Sequence, residues 1–301
     1  MTAAAALGGR VGTVNVRIRR RRRLVVAGLV APALLVVCGA LLVPAVNLIV
    51  QSFLESSGYG GVVYHFTFSN YLDAVRDPTY RTVAWHSFGL GALAALICVV
   101  AGYPAAYFIT FRLHPRWRNL ALFLVVVSLF TSYLVRLYAW YTILGGNGIV
   151  NTALIHLGIV NHPLLFLLFS RWAVLIAFVN VFLPYSVLML TSAMQNIRPE
   201  LLENARDLGA SPVRTFSRVV LPLTMTGAVG AFVYTFILTS GDYITPSLLG
   251  GTSSTSLANI VSDEFVALGD RPGGAAISCV MLLVFFAVYL ALSRLERWKG
   301  I

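Results

Sequence analysis

The sequence predicts an all-α membrane protein with six transmembrane helices and both termini on the cytoplasmic side. Three observations carry that prediction. Hydrophobic residues make up 58% of the chain and charged residues only 11%, which leaves too little polar surface for a soluble globular domain. The apolar residues fall in continuous runs rather than alternating ones, so they read as helices and not as barrel strands. The basic residues gather in alternate loops, the pattern that sets orientation.

A helix needs roughly 20 apolar residues to cross the hydrocarbon core. Segments 24–51, 84–111, 119–144, 165–194, 218–240 and 275–293 meet that need. The first follows Arg19 to Arg23 and outruns the roughly 7–15-residue core of a signal peptide, so it reads as a retained span anchored by arginines at the headgroups. Pro32, Pro44, Pro104, Pro184 and Pro222 lie inside spans and read as kinks that neighbouring helices tolerate. The expected organisation is a basic cytoplasmic segment (1–23), a first span with an external loop (24–83), a five-helix core (84–293) carrying a cytoplasmic segment at 198–218, and a cytoplasmic tail (294–301).

The charges support this order. Arg10, Arg17 and Arg19 to Arg23 precede the first span, and Arg112, Arg116 and Arg118 fill the loop after the second. Arg198, Arg206, Arg214 and Arg218 outnumber Glu200, Glu203 and Asp207, and Arg294, Arg297 and Lys299 outnumber Glu296. The intervening loops are neutral (145–164) or negative (53–83 and 241–274). Arg136 and Arg171 fall in or near spans. Counted from Asn119, Arg136 lies about 25 Å along its helix, near the outer interface. There it either snorkels to the headgroups or serves a partner or a translocation path.

Several classes of function are disfavoured. Lysine occurs once, at Lys299, so the chain has no P-loop, whose lysine meets the phosphates. Any ATP and magnesium are therefore expected on another subunit, and no cofactor is expected on this chain. Cys38, Cys98 and Cys279 stand alone in apolar stretches, and the five histidines show no ligand spacing. The glycines of "GGNG" (145–148) lack the basic or hydroxyl follow-up of a phosphate cradle. The pI near 10 is expected to reflect one-sided basic loops and not a nucleic-acid partner. An ion-coupled carrier working alone keeps ionisable residues near the midplane, and a membrane enzyme needs a polar cluster at one depth. Apart from Arg136 and Arg171 the spans offer neither.

The stretch "ENARDLGASPVRTFSRVVLP" (203–222) is unusual in so oily a chain. Arg198-Pro199 starts a helix, because proline suits a first turn. Leu201, Leu202, Ala205 and Leu208 recur every three or four residues and form one apolar stripe. Gly209 suits the left-handed position that ends a helix. Ser211-Pro212 then reads as the cap and first turn of a second helix. The segment is too short and too charged to cross the membrane. It lies on the headgroups or docks into another protein.

Glu203-Asn204-Ala205, Gly209, Val219 and Leu221-Pro222 resemble the E-A-A…G…I-x-L-P loop of ABC importer permeases. Asn204 replaces the usual alanine and Val219 the usual isoleucine. "AGYPAAYFIT" (101–110), "SYLVRLYAWYTILGGNGIVN" (132–151) and "TSGDYITPSLLGG" (239–251) are similar to the B-type permease of spermidine/putrescine importers. The resemblance implies the fold of a type I ABC importer transmembrane domain, with alternating access driven by a separate ATPase. It implies Leu201, Glu203, Asn204, Ala205, Leu208, Gly209 and Pro222 as the ATPase-coupling residues. The implied partners are a homologous second permease, two copies of a cytoplasmic ATPase that hold ATP and magnesium, an extracytoplasmic substrate-binding protein and the lipid bilayer.

A path for polycations favours carboxylates and aromatic faces. Asp242, beside Gly241 and Tyr243, reads as a gate, a substrate contact or a helix-end cap. Tyr138, Trp140 and Tyr141 read as path residues or as an interfacial belt, and Tyr234 is similarly open. Arg136 and Asp242 fall at comparable depth, so they are expected to approach each other in one state of the cycle. Asp263-Glu264 reads as a solvated loop, a binding-protein contact or a cation-steering pair.

Overall fold

The computed structural model describes residues 28, 31–32, 34–57, 60–251 and 254–298; the basic segment at 1–23 and Lys299 lie outside them. Among the described residues, four helices are long and apolar enough to cross a membrane. They are α1 (Leu34–Ser52), α3 (Pro78–Phe111), α7 (Arg171–Gln195) and α12 (Arg271–Trp298, apolar over Arg271–Arg294). Two bent pairs bring the number up to six when each pair is taken as one span. The first pair is α4 (Pro115–Leu129) with α5 (Tyr133–Leu144) and α6 (Ile149–His156). The second is α9 (Pro212–Leu223) with α10 (Met225–Ser240). Short α2 (Ser69–Arg76), α8 (Pro199–Asp207) and α11 (Leu257–Asp263) lie in the connections. A two-residue antiparallel pairing, β1 (Glu55–Ser56) with β2 (Val62–Val63), follows α1.

Two expectations need correction. The region 53–83 is not a plain loop, because α3 begins at Pro78. Asp77 caps it by accepting from the Thr79 N–H at 2.7 Å, and that bond holds the Asp77 carboxyl below its ordinary range. With 34 residues α3 exceeds the roughly 20 needed to span the hydrocarbon, so its first turns extend beyond the apolar core. Nor is segment 119–144 a straight helix. It turns by 87° between Leu129 and Tyr133, so depth counted along a continuous axis does not apply to Arg136.

The centre of the protein is α3 packed against α7 and α10. Lipid is as apolar as leucine, so association in a bilayer depends on close packing, which small residues permit. On α3, Gly91, Ala95, Cys98, Gly102 and Ala106 recur three or four residues apart and are all buried. A Cβ added at Gly91 would collide with the Ser240 hydroxyl of α10, and one at Gly102 would press on the Leu190 Cδ1 of α7. Gly227 does the same for α10 and α7, since an added Cβ there would overlap Ala193 Cβ. One buried cluster joins Ala94, Leu137, Val174, Phe178 and Leu249, and a second joins Tyr103, Leu190, Met194, Leu202 and Val220. By contrast, the apolar window of α1 buries nothing among the described residues. Lipid or another chain must cover it.

Both bent spans have a local cause. In α9, Pro222 supplies no N–H, and its ring crowds the carbonyl four residues back. The turn widens over Phe216–Val220, where the Leu221 N–H reaches the Phe216 carbonyl, one residue farther than in an α-helix. At Thr224 the chain leaves the helix and turns by 69° into α10. The break between α4 and α5 contains no proline; its closure is described below. Gly227→Ala is expected to push α10 from α7 and to destabilise the fold by about 1–3 kcal/mol. A lowered melting midpoint of the purified protein in detergent checks this.

Candidate coupling and translocation sites

The α8–α9 segment has the predicted form. Pro199 lies in the first turn of α8, and Gly209 closes the helix at φ +77°. The Ala210 N–H reaches back to the Ala205 carbonyl at 3.0 Å and the Gly209 N–H to Arg206 at 2.8 Å, the paired bonds of a glycine-terminated helix. Ser211 caps α9 by accepting from the Arg214 N–H at 3.4 Å. The apolar stripe, however, does not face one way. Leu202 is buried against Ile197 and Val220, whereas Leu201, Glu203, Asn204 and Leu208 are exposed and Ala205 is half-buried. Leu208 is 89% exposed and Val213, across the turn, 77%. One leucine thus roots the segment, and the others are offered outward.

Behind this segment the contacts are aromatic. The Phe216 ring meets Tyr103 of α3 edge-on at 5.5 Å and Tyr107 at 6.1 Å. Tyr103 hydrogen-bonds Thr224 at 3.1 Å, and the Thr224 hydroxyl also donates to the Val220 carbonyl at 2.8 Å. Pro222 therefore belongs to the bend and not to the exposed tip. A groove of ≈ 660 Å³ runs between α3 and α9, walled by Tyr103, Pro104, Val213, Phe216 and Met225.

At the other end of α10 the sequence candidates part company. Asp242 is half-buried and caps the turn that follows α10, accepting from the Ile244 N–H at 2.9 Å. Its other oxygen accepts from the hydroxyls of Tyr133 on α5 and of buried Thr245. The carboxylate is thus held by α5 and its own turn, the arrangement of a helix-end tie. Tyr133 and Thr245 were not singled out from sequence; their only signal was membership of the blocks 132–151 and 239–251. Nearby, Ser256 and Asn259 form a capping box at the start of α11. The Ser256 hydroxyl also donates to the Asp242 carbonyl and Asn259 to the Tyr243 carbonyl. The Tyr243 side chain is exposed.

The expected meeting of Arg136 with Asp242 is absent from this structure. The Arg136 guanidinium donates instead to the carbonyls of Ser128 (2.6 Å), Thr131 (3.1 Å) and Val181 (3.4 Å). The Ser128 carbonyl lies in the last turn of α4, where the Thr131 N–H reaches it only at 3.4 Å, and the Thr131 carbonyl lies in the break; a cation there also meets the negative end of the helix dipole. Arg136 closes the bend and ties it to α7. Tyr138 is exposed, whereas Trp140 packs on the central cluster. Asn151, fully buried, clamps the "GGNG" turn by donating to the Gly145 carbonyl at 2.9 Å and accepting from the Leu164 N–H at 2.7 Å. Glu264 is buried rather than solvated and accepts from the Tyr80 hydroxyl at 2.7 Å. Tyr234 lies on α10 with its ring 5.4 Å from that of Tyr185 on α7.

Two variants separate these roles. A Cβ at Gly209 meets nothing within 4 Å, so Gly209→Ala isolates backbone strain and is expected to cost roughly 1–2 kcal/mol locally. Faster proteolysis at the α8–α9 turn, reversed in part by Gly209→Asn, checks this. Asp242→Ala takes their shared acceptor from two hydroxyls and two N–H groups, and about 1–3 kcal/mol of stability is expected to go with it. A drop in melting midpoint that Asp242→Asn partly restores checks that.

Comparison with known proteins supports the same reading. The family model for the binding-protein-dependent transport system inner membrane component matches residues 99–300. The spermidine/putrescine transport system permease protein PotB of Haemophilus influenzae is 36% identical over 85% of this chain and 90% of its own. The protein of the same name from Escherichia coli K12 is 34% identical over 84% and 91%. In structure, the chain resembles one from a bacterial ABC transporter that imports the acidic polysaccharide alginate. The TM-score is 0.74 at 15% identity, covering 94% of this chain and 98% of the other. A chain of the MetNI methionine ABC transporter, in an inward-facing conformation, aligns with TM-score 0.54 at 15% identity, covering 73% and 98%. With its broken spans, its capped α8–α9 turn and these relatives, the chain belongs to the family of binding-protein-dependent transport system inner membrane components.

Proposed function

We propose that this chain is the membrane permease of an ATP-driven polyamine importer, and that α8, Gly209 and the start of α9 are where a separate ATPase grips it. The observation that carries this is the exposed pair Leu208 and Val213 at the tip of a segment rooted by Leu202 and backed by Phe216. A pull on the tip reaches Tyr103 and the bend at Thr224 through packed rings and one hydrogen bond. Such a segment can bias two arrangements of the spans differentially, as coupling requires. The tip is cytosolic in this reading, in keeping with its arginines.

The assembled importer has a homologous second permease, two ATPase copies holding ATP and magnesium, and an extracytoplasmic binding protein that delivers the cargo. ATP closure of the ATPases moves the α8–α9 tip and opens the spans outward; hydrolysis resets them. The polyamine assignment rests on two relatives named for spermidine and putrescine, each matched along most of its length. Glu203, Asn204 and Ala205 contribute to the ATPase contact, and exposed Tyr243 and Tyr138 stand at the path's outer end.

The test is co-purification with the ATPase and the second permease, followed by ATPase assay with binding protein loaded with putrescine, spermidine or an unrelated solute. Stimulation by the polyamine forms alone is expected; stimulation by another solute alone reassigns the cargo. Leu208→Asp is expected to reduce ATPase co-purification and uptake at least tenfold, the order set by losing a buried leucine contact of about 1.5–3 kcal/mol. Membrane insertion should stay intact by carbonate extraction.

A further inference from the structure

The outward faces of the spans differ in kind. On α12 the exposed side chains include Leu282, Leu283, Phe286 and Leu290, and on α4 they include Leu120, Phe123 and Leu124. These are faces suited to acyl chains. On α10 the exposed or half-exposed stripe runs Thr226, Gly230, Tyr234 and Leu238, one residue per helical turn. A Cβ built at Gly230 meets nothing within 4 Å, so the space before it is open. On adjoining α7, half-exposed Tyr185 and exposed Ser192 lie seven residues, two turns, apart on one face. A face that aligns Thr226 and Tyr234 of α10 with Tyr185 and Ser192 of α7 beside an open glycine offers hydroxyls that acyl chains cannot use, and it suits water or a polar cargo.

The two tyrosines lie well inside their helices and touch across the α7–α10 seam, with centroids at 5.4 Å and planes inclined by 45°. Behind Tyr185 the rings of Phe182 and Phe178 continue at 6.2 Å each, which fixes its position from the protein side. We infer that the Ser192–Tyr185–Tyr234 stripe is the wall of the translocation path in this subunit, and that the Tyr185–Tyr234 ring pair is its selective contact for ammonium groups. The wall assignment stands on the polarity of the face. The choice of ammonium rests on the polyamine reading above and follows from ring quadrupoles that attract cations without holding them as tightly as a carboxylate. A flexible polycation must leave the contact as readily as it enters, so aromatic faces suit a transit point. The nearest carboxylate candidate, Asp242, is engaged as a tie.

The experiment uses the complete importer in proteoliposomes, with Cys38, Cys98 and Cys279 replaced by serine or alanine. Single changes Ser192→Cys, Tyr185→Cys and Tyr234→Cys are treated with a membrane-impermeant cationic methanethiosulfonate, with Leu283→Cys as the lipid-face control. Labelling of the first three but not the control, at a rate that changes with ATP, is expected. Labelling no faster than the control overturns the wall, whatever the cargo. In a second arm, Tyr185→Leu and Tyr234→Leu are each expected to lower polyamine uptake roughly tenfold, the size of one desolvated cation–π contact. Stimulation of ATPase by loaded binding protein should persist, and the phenylalanine variants should transport as wild type. Equal loss in the phenylalanine and leucine variants, or no loss in leucine, overturns the ring-face role. Labelled cysteines in an importer that carries no polyamine leave the wall standing and remove both the cargo assignment and the ammonium contact.

Discussion

A backbone polar group inside a bilayer has no water to turn to, and both broken spans are organised around that constraint. Where α4 ends, the carbonyls of Ser128 and Thr131 meet the Arg136 guanidinium. An arginine in an apolar surrounding is costly on its own, but aimed at carbonyls at the negative end of a helix its two terminal nitrogens find acceptors, while Nε has none among the described residues. At the other bend the device is uncharged: Thr224 donates to Val220 and bonds Tyr103, while the wide turn over Phe216–Val220 absorbs the misfit of Pro222. Without these partners neither bend survives in an apolar surrounding.

The two bends differ in what they can do. Arg136 fastens its bend to itself and, through Val181, to α7, which makes that corner part of the rigid centre. Thr224 is joined to α3 by one hydroxyl pair and the edge-on contact of Tyr103 with Phe216. A few soft contacts permit rotation where a guanidinium network does not. The flexible bend is also the one continuous with α8–α9. Motion entering at the tip therefore meets a compliant joint first and the close-packed α3–α7–α10 body second. In that body Gly91, Gly102 and Gly227 leave no slack for sliding.

At the opposite end of α10 the structure assembles a polar knot from elements far apart in the chain. Tyr133, Thr245 and Ser256 each bond to Asp242, and Ser256 bonds on to Asn259. Each partner satisfies a group that would otherwise be stranded near the apolar core. This knot fixes the start of α5, the end of α10 and the start of α11 together, and it withdraws Asp242 from free contact with a passing cation. Recognition of cargo is left to ring faces and small polar groups along the seam of α7 and α10.

By itself the sequence determined what depends on local chemistry. The apolar runs marked the C-terminal ends of α3, α7 and α10 to within one residue. Pro199, Gly209, Ser211 and Pro212 dictated α8, its left-handed end and the cap of α9, because caps and positive φ are decided by one residue and its neighbours. Tertiary structure decided everything that needed a second element. No local signal could break 119–144 at Thr131, since the break is held by a guanidinium five residues on and by its tie to α7. Nor could periodicity say that Leu202 turns inward while Leu208 turns out, or that Asp242 would be held by Tyr133, 109 residues away. A side chain's role in a membrane is set by which unsatisfied group lies opposite, and only the packed spans determine what lies opposite.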